Sequence, residues 1–439
     1  MRISRAASVA IVVAGAVIGS LLAPAAAQGG KPDAADVGIT DKEIRVAMVA
    51  DVENAVVPGL FQPSVDVVRA WAKLANRRGG IAGRKVVVDF LDSKLSADEA
   101  RNAVIKACAE DFAMVGSEAL FLNNVDDMVA CPDAQGNPTG LPDIPGLALD
   151  LAQRCGPVSY VFSGDSKFCA NKDAHPQTYF PQAGDARYYL KKFKDLHGIW
   201  LVPADLRSTR NAQITNFQAG FELGMKKDGE GFYDTSARSP QSALTPFVQV
   251  IKDNSSTFAY NGNAFNLMVL LRREAKLQAV NSVKVWACNQ GCYDVEFLKQ
   301  GGADVEGTYM WIPTLPFYSE YKSNPTLKAV VREVGGPENL NANAMNSLVA
   351  ALLFEDAAKK VVASGEPLTR QSLLDTLQST RKFEATGLIG PTDVGNHEPG
   401  PCFVLMQVKN GKFVRVNPTK PGTFDCNKKN IKAVQMDLL

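Results

Sequence analysis

The sequence offers few residues in arrangements that could perform catalysis. Its three histidines, His175, His197 and His397, are scattered, and none stands at the spacing of a metal-binding helix. The nucleophile elbow G-x-S-x-G, the dinucleotide pattern G-x-G-x-x-G, the Walker phosphate loop and the zinc pattern H-E-x-x-H do not occur in the chain. This absence of motifs makes an enzyme less expected without excluding one.

The elements that would position functional residues alternate between strands and helices. Apolar runs without helical period over residues 44–50, 85–91 and 112–115 predict three strands. Two amphipathic helices separate them, and the pair Gly79-Gly80 ends the first helix. Strands separated by helices of this length are joined in parallel, so a ligand is expected at the carboxyl ends of the strands.

A second alternating series follows a loop-rich stretch from Cys131 to Gly184. Its predicted strands cover residues 199–202, 231–233, 258–260 and 283–287, and its predicted helices cover residues 211–223, 245–252 and 264–275. A long amphipathic helix over 344–362 and strands over 403–408 and 413–416 come after it. The pattern predicts a second doubly wound α/β domain.

Three segments in order carry a resemblance to a known family. They are Gly38-Ile-Thr-Asp-Lys-Glu-Ile44 before the first strand, Gly79-Gly-Ile-Ala-Gly-Arg-Lys85 before the second, and Asp111-Phe-Ala-Met-Val-Gly-Ser117 at the third. In order and spacing, the chain resembles the branched-chain amino acid (Leu/Ile/Val) type of solute-binding protein of ABC transporters, which has the type I periplasmic binding protein fold. The resemblance covers most of the chain and is weaker after Phe121.

The resemblance implies an α/β fold of two doubly wound lobes, joined by a three-segment hinge, that close around a ligand. The first lobe is expected over residues 38–160 and 313–388, and the second over residues 161–312 and 389–439. We expect the chain to cross between the lobes near Ser159 to Phe168, at Pro313, and at Gly387 to Pro391.

The N-terminal residues predict export. Two arginines precede an apolar segment from Val9 to Leu22, and Ala25-Ala26-Ala27 supplies a cleavage site of A-x-A type. The segment is too short for a permanent membrane helix, so residues 1–27 are interpreted as a cleavable signal peptide, with an uncleaved anchor as the alternative. Because no cysteine follows Leu21-Leu22-Ala23, a lipid anchor lacks its attachment residue. We expect a periplasmic or secreted protein.

Eight cysteines lie after the predicted cleavage site, and an even number in an exported chain suggests disulfide bonds. They are Cys108, Cys131, Cys155, Cys169, Cys288, Cys292, Cys402 and Cys426. Nearest-neighbour pairing would join them two by two in that order, although the sequence leaves the connectivity open. The first pair matches a bridge that the resembled family often carries between its second helix and the loop after its third strand. The Cys288-Asn-Gln-Gly-Cys292 spacing favours a structural staple over a redox or metal site.

Charge and length limit the class of partner. The chain has 47 Lys and Arg against 46 Asp and Glu, a near-neutral balance without the basic stripe that nucleic acids require. Even without residues 1–27, the 439-residue chain is too long for one ordinary core and suits two α/β domains. We expect a monomer that binds a small molecule, with no cofactor, metal or nucleic acid. The resemblance adds an ABC transporter permease in the inner membrane as a partner.

The loops that follow the strands of both predicted domains should converge on one cleft. Ser117 matches the family's serine-bearing loop, where hydroxyl and backbone N–H groups hold a ligand carboxylate. The candidate ligand-binding residues are Phe61, Ser117, Glu118 and Phe121 in the first domain, and Asp205, Ser208, Asn261, Asn263, Gln290 and Tyr293 in the second. Phe61, Phe121 and Tyr293 are equally consistent with apolar walls of the cleft and with ordinary core packing.

One departure from the family pattern bears on the ligand. Gln290 takes the place of the carboxylate that usually pairs with the ammonium group of the ligand. A desolvated ammonium without a negative partner is costly, so an α-amino acid is disfavoured unless Glu118 supplies the charge from the opposite lobe. Helices that begin after the cleft loops leave backbone N–H groups free, which suits a carboxylate.

Residues and resemblance together predict an extracytoplasmic solute-binding protein. It would capture a small polar or carboxylate-bearing metabolite, such as an amino acid, an amide or an organic acid, and deliver it to an ABC transporter permease without performing a reaction. A ligand-sensing receptor component of the same fold is the nearest alternative. A secreted α/β enzyme, which would need a nucleophile and a base in the cleft, and a cell-surface interaction module are more distant alternatives.

Overall fold

The computed structural model describes residues 36–55, 57–164, 166–170 and 173–438. The predicted signal peptide, residues 1–27, lies outside the described residues. The first elements are β1 (Glu43–Ala50), α1 (Gln62–Arg77), β2 (Lys85–Asp92), α2 (Ala97–Glu110), β3 (Ala113–Val115), α3 (Asp126–Val129) and β4 (Asp143–Ile144). The three strands and two helices predicted for this segment are confirmed, and their bounds differ from the prediction by a few residues.

These strands form a parallel sheet with the order β2-β1-β3-β4 within the described part of the chain. Residues 46–50 of β1 are fully buried one after another. Because successive side chains of a strand point to opposite faces, this continuous burial means that both faces of the sheet are covered. α1 and α2 supply part of that cover.

A loop-rich segment with α4 (Leu151–Arg154), α5 (Ser166–Cys169), β5 (Gln177–Tyr179) and α6 (Gly184–Lys192) leads to the second sheet. The next elements are β6 (His197–Pro203), α7 (Arg207–Glu222), β7 (Lys226–Thr235), α8 (Thr245–Asp253), β8 (Phe258–Asn261), α9 (Phe265–Leu277), β9 (Val285–Cys288), α10 (Val295–Gly301) and β10 (Tyr309–Ile312). They are followed by α11 (Phe317–Glu320), α12 (Pro325–Glu333), α13 (Ala342–Ser364), α14 (Arg370–Ser379), β11 (Val404–Lys409), β12 (Lys412–Asn417) and β13 (Val434–Met436).

The second sheet has the order β12-β11-β10-β9-β8-β6-β7 within the described residues. The strands from β7 to β10 pair in parallel, and β11 and β12 add antiparallel neighbours. α13 returns to the first sheet and packs against α1, where the Trp71 indole donates to Glu355 over 2.7 Å. In the described part of the chain, none of the helices is both long and apolar enough to cross a membrane.

Three chain segments connect the two sheets and lie side by side. Thr314, just after β10, forms an antiparallel bridge with Ile389. Thr392 Oγ1 donates to the Phe162 carbonyl over 2.7 Å, so the first and third segments also touch. Two lobes that share three adjacent segments can rotate about them. This arrangement is the predicted architecture of two doubly wound α/β lobes and a three-segment hinge, and the exact residue bounds of each lobe stay a prediction.

Four disulfide bonds join the eight cysteines as nearest neighbours, which confirms the predicted pairing. The bonds are Cys108–Cys131, Cys155–Cys169, Cys288–Cys292 and Cys402–Cys426. The second bond lies within the loop-rich segment and fixes a stretch that has little regular structure of its own. The third bond closes a short loop directly after β9.

A buried arginine lies beside the first disulfide bond. Arg370 begins α14 and is fully buried. Its guanidinium donates to the carbonyl oxygens of Cys108 at 2.8 Å, Asp111 at 2.6 Å, Phe112 at 3.3 Å and Pro132 at 2.6 Å. These carbonyls belong to the end of α2, the residues that lead into β3, and the segment after α3. A planar guanidinium with five donors can satisfy such a fan of acceptors, and it thereby ties three segments to α14.

We expect Arg370→Lys to lower the free energy of unfolding by about 3 kcal/mol, because an ammonium cannot reach the same set of buried carbonyls and leaves some unpaired. Urea denaturation of the oxidised protein measures the change. Arg332→Lys, at an exposed position of α12, is the matched control and should leave stability unchanged. A loss below about 0.5 kcal/mol at Arg370 would mean that its hydrogen bonds do not stabilise the fold.

Candidate functional site

One buried carboxylate organises the carboxyl edge of the first sheet. Asp51 follows β1 directly, is fully buried, and accepts hydrogen bonds from Ser93 Oγ at 2.6 Å, Leu95 N at 2.7 Å and Leu120 N at 2.8 Å. The donors lie in the loops after β2 and β3. Asp51 therefore links the loops of three neighbouring strands into one structure, which we name the first rim (residues 51–55, 57–60, 93–96 and 119–123).

Two further side chains fix the loop after β1. Asp92, the last residue of β2, accepts from Val52 N at 3.1 Å and from Glu53 N at 2.8 Å. Asn54 Oδ1 accepts from Val57 N at 2.7 Å, and Asn54 Nδ2 donates to Val57 O at 3.0 Å. The loop is thus held by side-chain hydrogen bonds at both of its ends.

Ser117 and Glu118 lie behind the first rim, in the interior of the first lobe. Both are fully buried. Ser117 Oγ accepts from Val49 N at 3.3 Å, and Glu118 Oε2 accepts from Ser64 Oγ at 2.6 Å. Burial raises the pKa of Glu118 to about 8, despite the hydrogen bond from Ser64. Glu118 is therefore uncharged at neutral pH and faces its own lobe, which contradicts its expected role as a negative partner for a ligand.

The predicted aromatic walls divide between core and surface. Phe61 is buried in the core of the first lobe at the start of α1, whereas Phe121 is partly exposed in the first rim. Tyr293 is fully buried, and its ring centroid lies 4.8 Å from that of Phe317 and 4.5 Å from that of Phe413. Tyr293 and Phe61 therefore serve as core packing, and Phe121 is the one of the three placed to line a cleft.

Asparagine side chains join the loops at the carboxyl edge of the second sheet. Asn263 Nδ2 donates to Thr235 O at the end of β7 over 2.8 Å, and Asn289 Nδ2 donates to Gly262 O after β8 over 2.8 Å. Asn261 Nδ2 donates to Ala264 O over 3.0 Å. We name the loops after β6, β7, β8 and β9 the second rim (residues 204–206, 236–240, 262–264 and 289–293).

The predicted ligand residues Asn261 and Asn263 are buried, and their amides are used within the second rim. Asp205 is exposed, yet its carboxylate accepts from Ala237 N over 3.0 Å and so connects the loops after β6 and β7. These three residues hold the rim in place. Because their side chains already bond to the protein, they have less capacity to bind a ligand than polar groups without a protein partner.

Open polar groups remain where helices begin at the second rim. α7 and α9 start without a side-chain cap, so the N–H groups of their first turns have no side-chain acceptor. Ser208 and Thr209 lie in the first turn of α7, and Thr209 Oγ1 is buried without a hydrogen-bond partner among the described residues. Gln290 Oε1, in the loop after β9, is also buried without a hydrogen-bond partner among the described residues. Buried polar groups of this kind call for a bound molecule or water.

A hydrogen bond crosses from one rim to the other. The Arg238 guanidinium, in the loop after β7, donates to the Ala55 carbonyl in the loop after β1. These loops belong to different sheets, so the carboxyl edges of the two sheets face each other. The cleft expected from the parallel topology is the space between the first and second rims.

Sequence reasoning missed several residues that shape this cleft. Asp51 and Asp92 were not predicted, although each is an acidic residue at the carboxyl end of an apolar strand, and that position is a usable signal. Arg238 and Thr209 carry no such signal, because nothing in a single sequence shows which side chain reaches across a cleft or loses its partner on burial.

Two further observations concern possible metal and ligand sites. In the described part of the chain, no group of three His, Cys, Asp or Glu side chains is arranged to hold a metal ion. A groove of about 460 Å³ lies beside α1 and β2 and is lined by basic residues that include Arg69, Lys73 and Arg77. It adjoins the end of α1 and the start of β2, the opposite end of the sheet from the first rim.

Solved structures share this architecture. A fatty acid ABC transporter substrate-binding protein from Thermomonospora curvata superposes with a TM-score of 0.70 at 13% identity, over 90% of this chain and 95% of that one. A branched-chain amino acid ABC transporter protein from Thermus thermophilus with bound valine gives 0.66 at 13%, over 86% and 96%. A leucine-binding protein from Thermotoga maritima gives 0.61 at 16%, over 85% and 99%. At these identities the likeness shows the fold.

A comparison by sequence agrees with the fold. Residues 206–412, from the second rim to the end of β11 and the start of β12, match the family model described as periplasmic binding protein. No curated protein matches the chain by sequence. The chain therefore has the type I periplasmic binding protein fold along nearly its whole length, and the family match itself covers residues 206–412.

Proposed function

We propose that the protein captures a small carboxylate-bearing solute outside the cytoplasm and delivers it to an ABC transporter permease in the inner membrane. The observation that carries this proposal is the pair of polar rims that face each other across the cleft. Arg238 of the second rim donates a hydrogen bond to Ala55 of the first rim. The protein would act as a monomer after cleavage of its signal peptide, and it would perform no reaction.

The construction of the rims supports capture by closure. Asp51 fixes the first rim and Asn263 fixes the second, each through hydrogen bonds within its own lobe. Each rim can therefore move as a unit while the three hinge segments bend. A ligand that contacts both rims binds the closed arrangement better than the open one and shifts the population toward it.

The polar groups of the second rim favour a carboxylate. The uncapped first turns of α7 and α9 direct N–H groups and the positive ends of two helix dipoles toward the cleft. Ser208 and Thr209 add hydroxyl donors beside the first of these turns. The structural neighbours named for fatty acid, leucine and valine bind compounds that all carry a carboxylate, which supports this half of the proposal.

An ammonium group is disfavoured for a separate reason. Gln290 presents a neutral amide in the loop after β9, and Glu118 is uncharged and turned into the first lobe. Asp205 is committed to Ala237 N. Desolvating an ammonium against the neutral side chains of Gln290 and Glu118 leaves its charge unpaired, which costs free energy that an organic acid does not lose. We therefore propose an organic acid without an amino group as the ligand.

A thermal-shift screen of the mature, oxidised protein tests the proposed ligand class. We expect short-chain or aromatic acids to give the largest shift, ahead of amides and amino acids. A ligand at one hundred times its dissociation constant adds about 2.7 kcal/mol of stability, which such a screen detects. A largest shift with leucine, isoleucine or valine would contradict the argument from Gln290. Stabilisation by none of these compounds would contradict solute capture itself.

Substitutions of the two unpaired polar groups test the proposed site. We expect Thr209→Val and Gln290→Ala each to raise the dissociation constant of the best compound about fivefold, because each removes one hydrogen bond to the ligand. Isothermal titration calorimetry measures the change. Gln371→Ala, at an exposed position of α14, is the control and should bind like the parent protein. Unchanged affinity in both rim variants would exclude this part of the cleft as the site.

The uncharged state of Glu118 has a measurable effect on stability. Its pKa is about 8 in the folded protein and 4.5 for an ordinary glutamate, so the folded state holds a proton that the unfolded state releases. The free energy of unfolding must then fall as the pH rises from about 4.5 to 8. We expect Glu118→Gln to remove this loss and to be more stable than the parent at pH 8, by on the order of 4 kcal/mol.

Urea denaturation at pH 4.5, 6 and 8 measures the effect of Glu118→Gln. The stability difference from the parent protein should grow with pH across this range. Glu338→Gln, at an exposed position, is the control and should show no such trend. A difference between Glu118→Gln and the parent that is the same at all three pH values would mean that Glu118 is already charged in the folded protein.

A further inference from the structure

The hydrogen bond between the rims joins one exposed side chain to one backbone carbonyl. Arg238 is exposed in the loop after β7, and Ala55 is exposed in the loop after β1. A bond from a guanidinium is charge-assisted and stronger than one between neutral groups. The two loops lie on different sheets, so this bond exists when the rims approach and is lost when the lobes open.

The acceptor side of this contact is built in advance. Asp92 holds the backbone of Val52 and Glu53, and Asn54 bonds Val57 on the far side of Ala55. Side-chain hydrogen bonds therefore restrain the residues that lead up to the Ala55 carbonyl. Glu53, an exposed acidic residue in the same loop, also places negative charge on the rim that the arginine approaches.

The donor side is built in the same way. Asp205 accepts from Ala237 N over 3.0 Å, and Asn266 Nδ2 donates to Ala237 O over 3.0 Å. Ser236 Oγ accepts from Arg238 N over 3.3 Å. The residue before Arg238 is thus bonded through both its backbone N–H and its carbonyl. This gives a structural reason for Asp205, which sequence reasoning had assigned to the ligand.

We propose that Arg238 is a latch that favours the closed arrangement of the two lobes and thereby tunes the affinity and release of the solute. It acts as a positioning residue, through the lobes, and makes no bond to the ligand. Because the backbone of Ala237 is already held at its N–H and its carbonyl, the bond forms at a reduced cost of ordering the donor loop. The inference rests on the closure mechanism proposed above and extends it to a specific residue.

Single-molecule energy transfer between the lobes tests the latch without any ligand. Fluorophores attached by click chemistry to azidophenylalanine at positions 106 and 227 avoid new cysteines; both positions are exposed lysines, on α2 and β7 respectively. The ratio of closed to open molecules is compared among the parent, Arg238→Ala, Arg238→Lys and Arg332→Ala. Arg332 is an exposed arginine of α12 and serves as the matched control.

We expect Arg238→Ala to lower the ratio of closed to open molecules about fivefold, the effect of one solvent-exposed hydrogen bond. Arg238→Lys should fall between Arg238→Ala and the parent, since lysine keeps the charge and loses the planar fork. Arg332→Ala should match the parent. An unchanged ratio in Arg238→Ala, or a parent protein without a closed population, overturns the latch.

Failure of the latch and failure of solute capture give different results. If the solute screen finds no ligand and the ratio still depends on Arg238, the latch stands and solute capture does not. If a solute binds and the ratio does not depend on Arg238, capture stands and the latch is wrong. Circular dichroism of each variant confirms that the exposed substitutions leave the fold intact.

Discussion

The cleft depends on the buried carboxylate of Asp51. A charged or polar group removed from water is tolerated only when hydrogen bonds replace its hydration, and Asp51 obtains them from a hydroxyl and two backbone N–H groups in neighbouring loops. Satisfying one carboxylate therefore fixes where the loops after β2 and β3 must lie relative to β1. The first rim owes its shape to this requirement, and a rim of fixed shape is what a hinge can move as a body.

The second lobe reaches the same result with neutral amides. Asn263 and Asn289 connect the ends of β7, β8 and β9 in place of a carboxylate. Most polar side chains at the strand ends are consequently engaged within the protein. The groups left for a ligand are helix N–H groups and a few hydroxyl and amide atoms, such as Thr209 Oγ1. The cleft thus offers hydrogen-bond donors at the start of α7 and α9, which is why its chemistry suits an acid.

Much of the fold follows from patterns in the sequence. A continuous apolar run gave β1 because a doubly covered parallel strand buries both faces. The sequence left the disulfide connectivity open, and the four bonds join nearest neighbours along the chain. Other elements have too little pattern: β4 contains two residues, Asp143 and Ile144, in a stretch rich in proline and glycine. The prediction covered only residues 231–233 of β7, because Gly229 and Gly231 interrupt the alternation of apolar and polar side chains along the strand.

The site was less accessible to sequence reasoning for a physical reason. Sequence position indicates that Glu118 and Asn261 lie near the carboxyl ends of strands, and both do. It does not indicate whether a side chain turns toward the cleft or finds a partner behind it. Ser64, which is distant in sequence, donates a hydrogen bond to Glu118, and the nearby carbonyl of Ala264 accepts one from Asn261. The same uncertainty hid the role of Arg238, whose partner is distant in sequence.

A crystal structure of the mature, oxidised protein with its most stabilising compound tests the central claim most directly. Two rims that are fixed within themselves and closed on a solute predict the compound between the loop after β3 and the start of α7, with the hydrogen bonds of Asp51 and Asn263 unchanged. A compound bound elsewhere, for instance in the basic groove beside α1 and β2, would contradict the account. So would a rearrangement of the Asp51 hydrogen bonds around the bound compound.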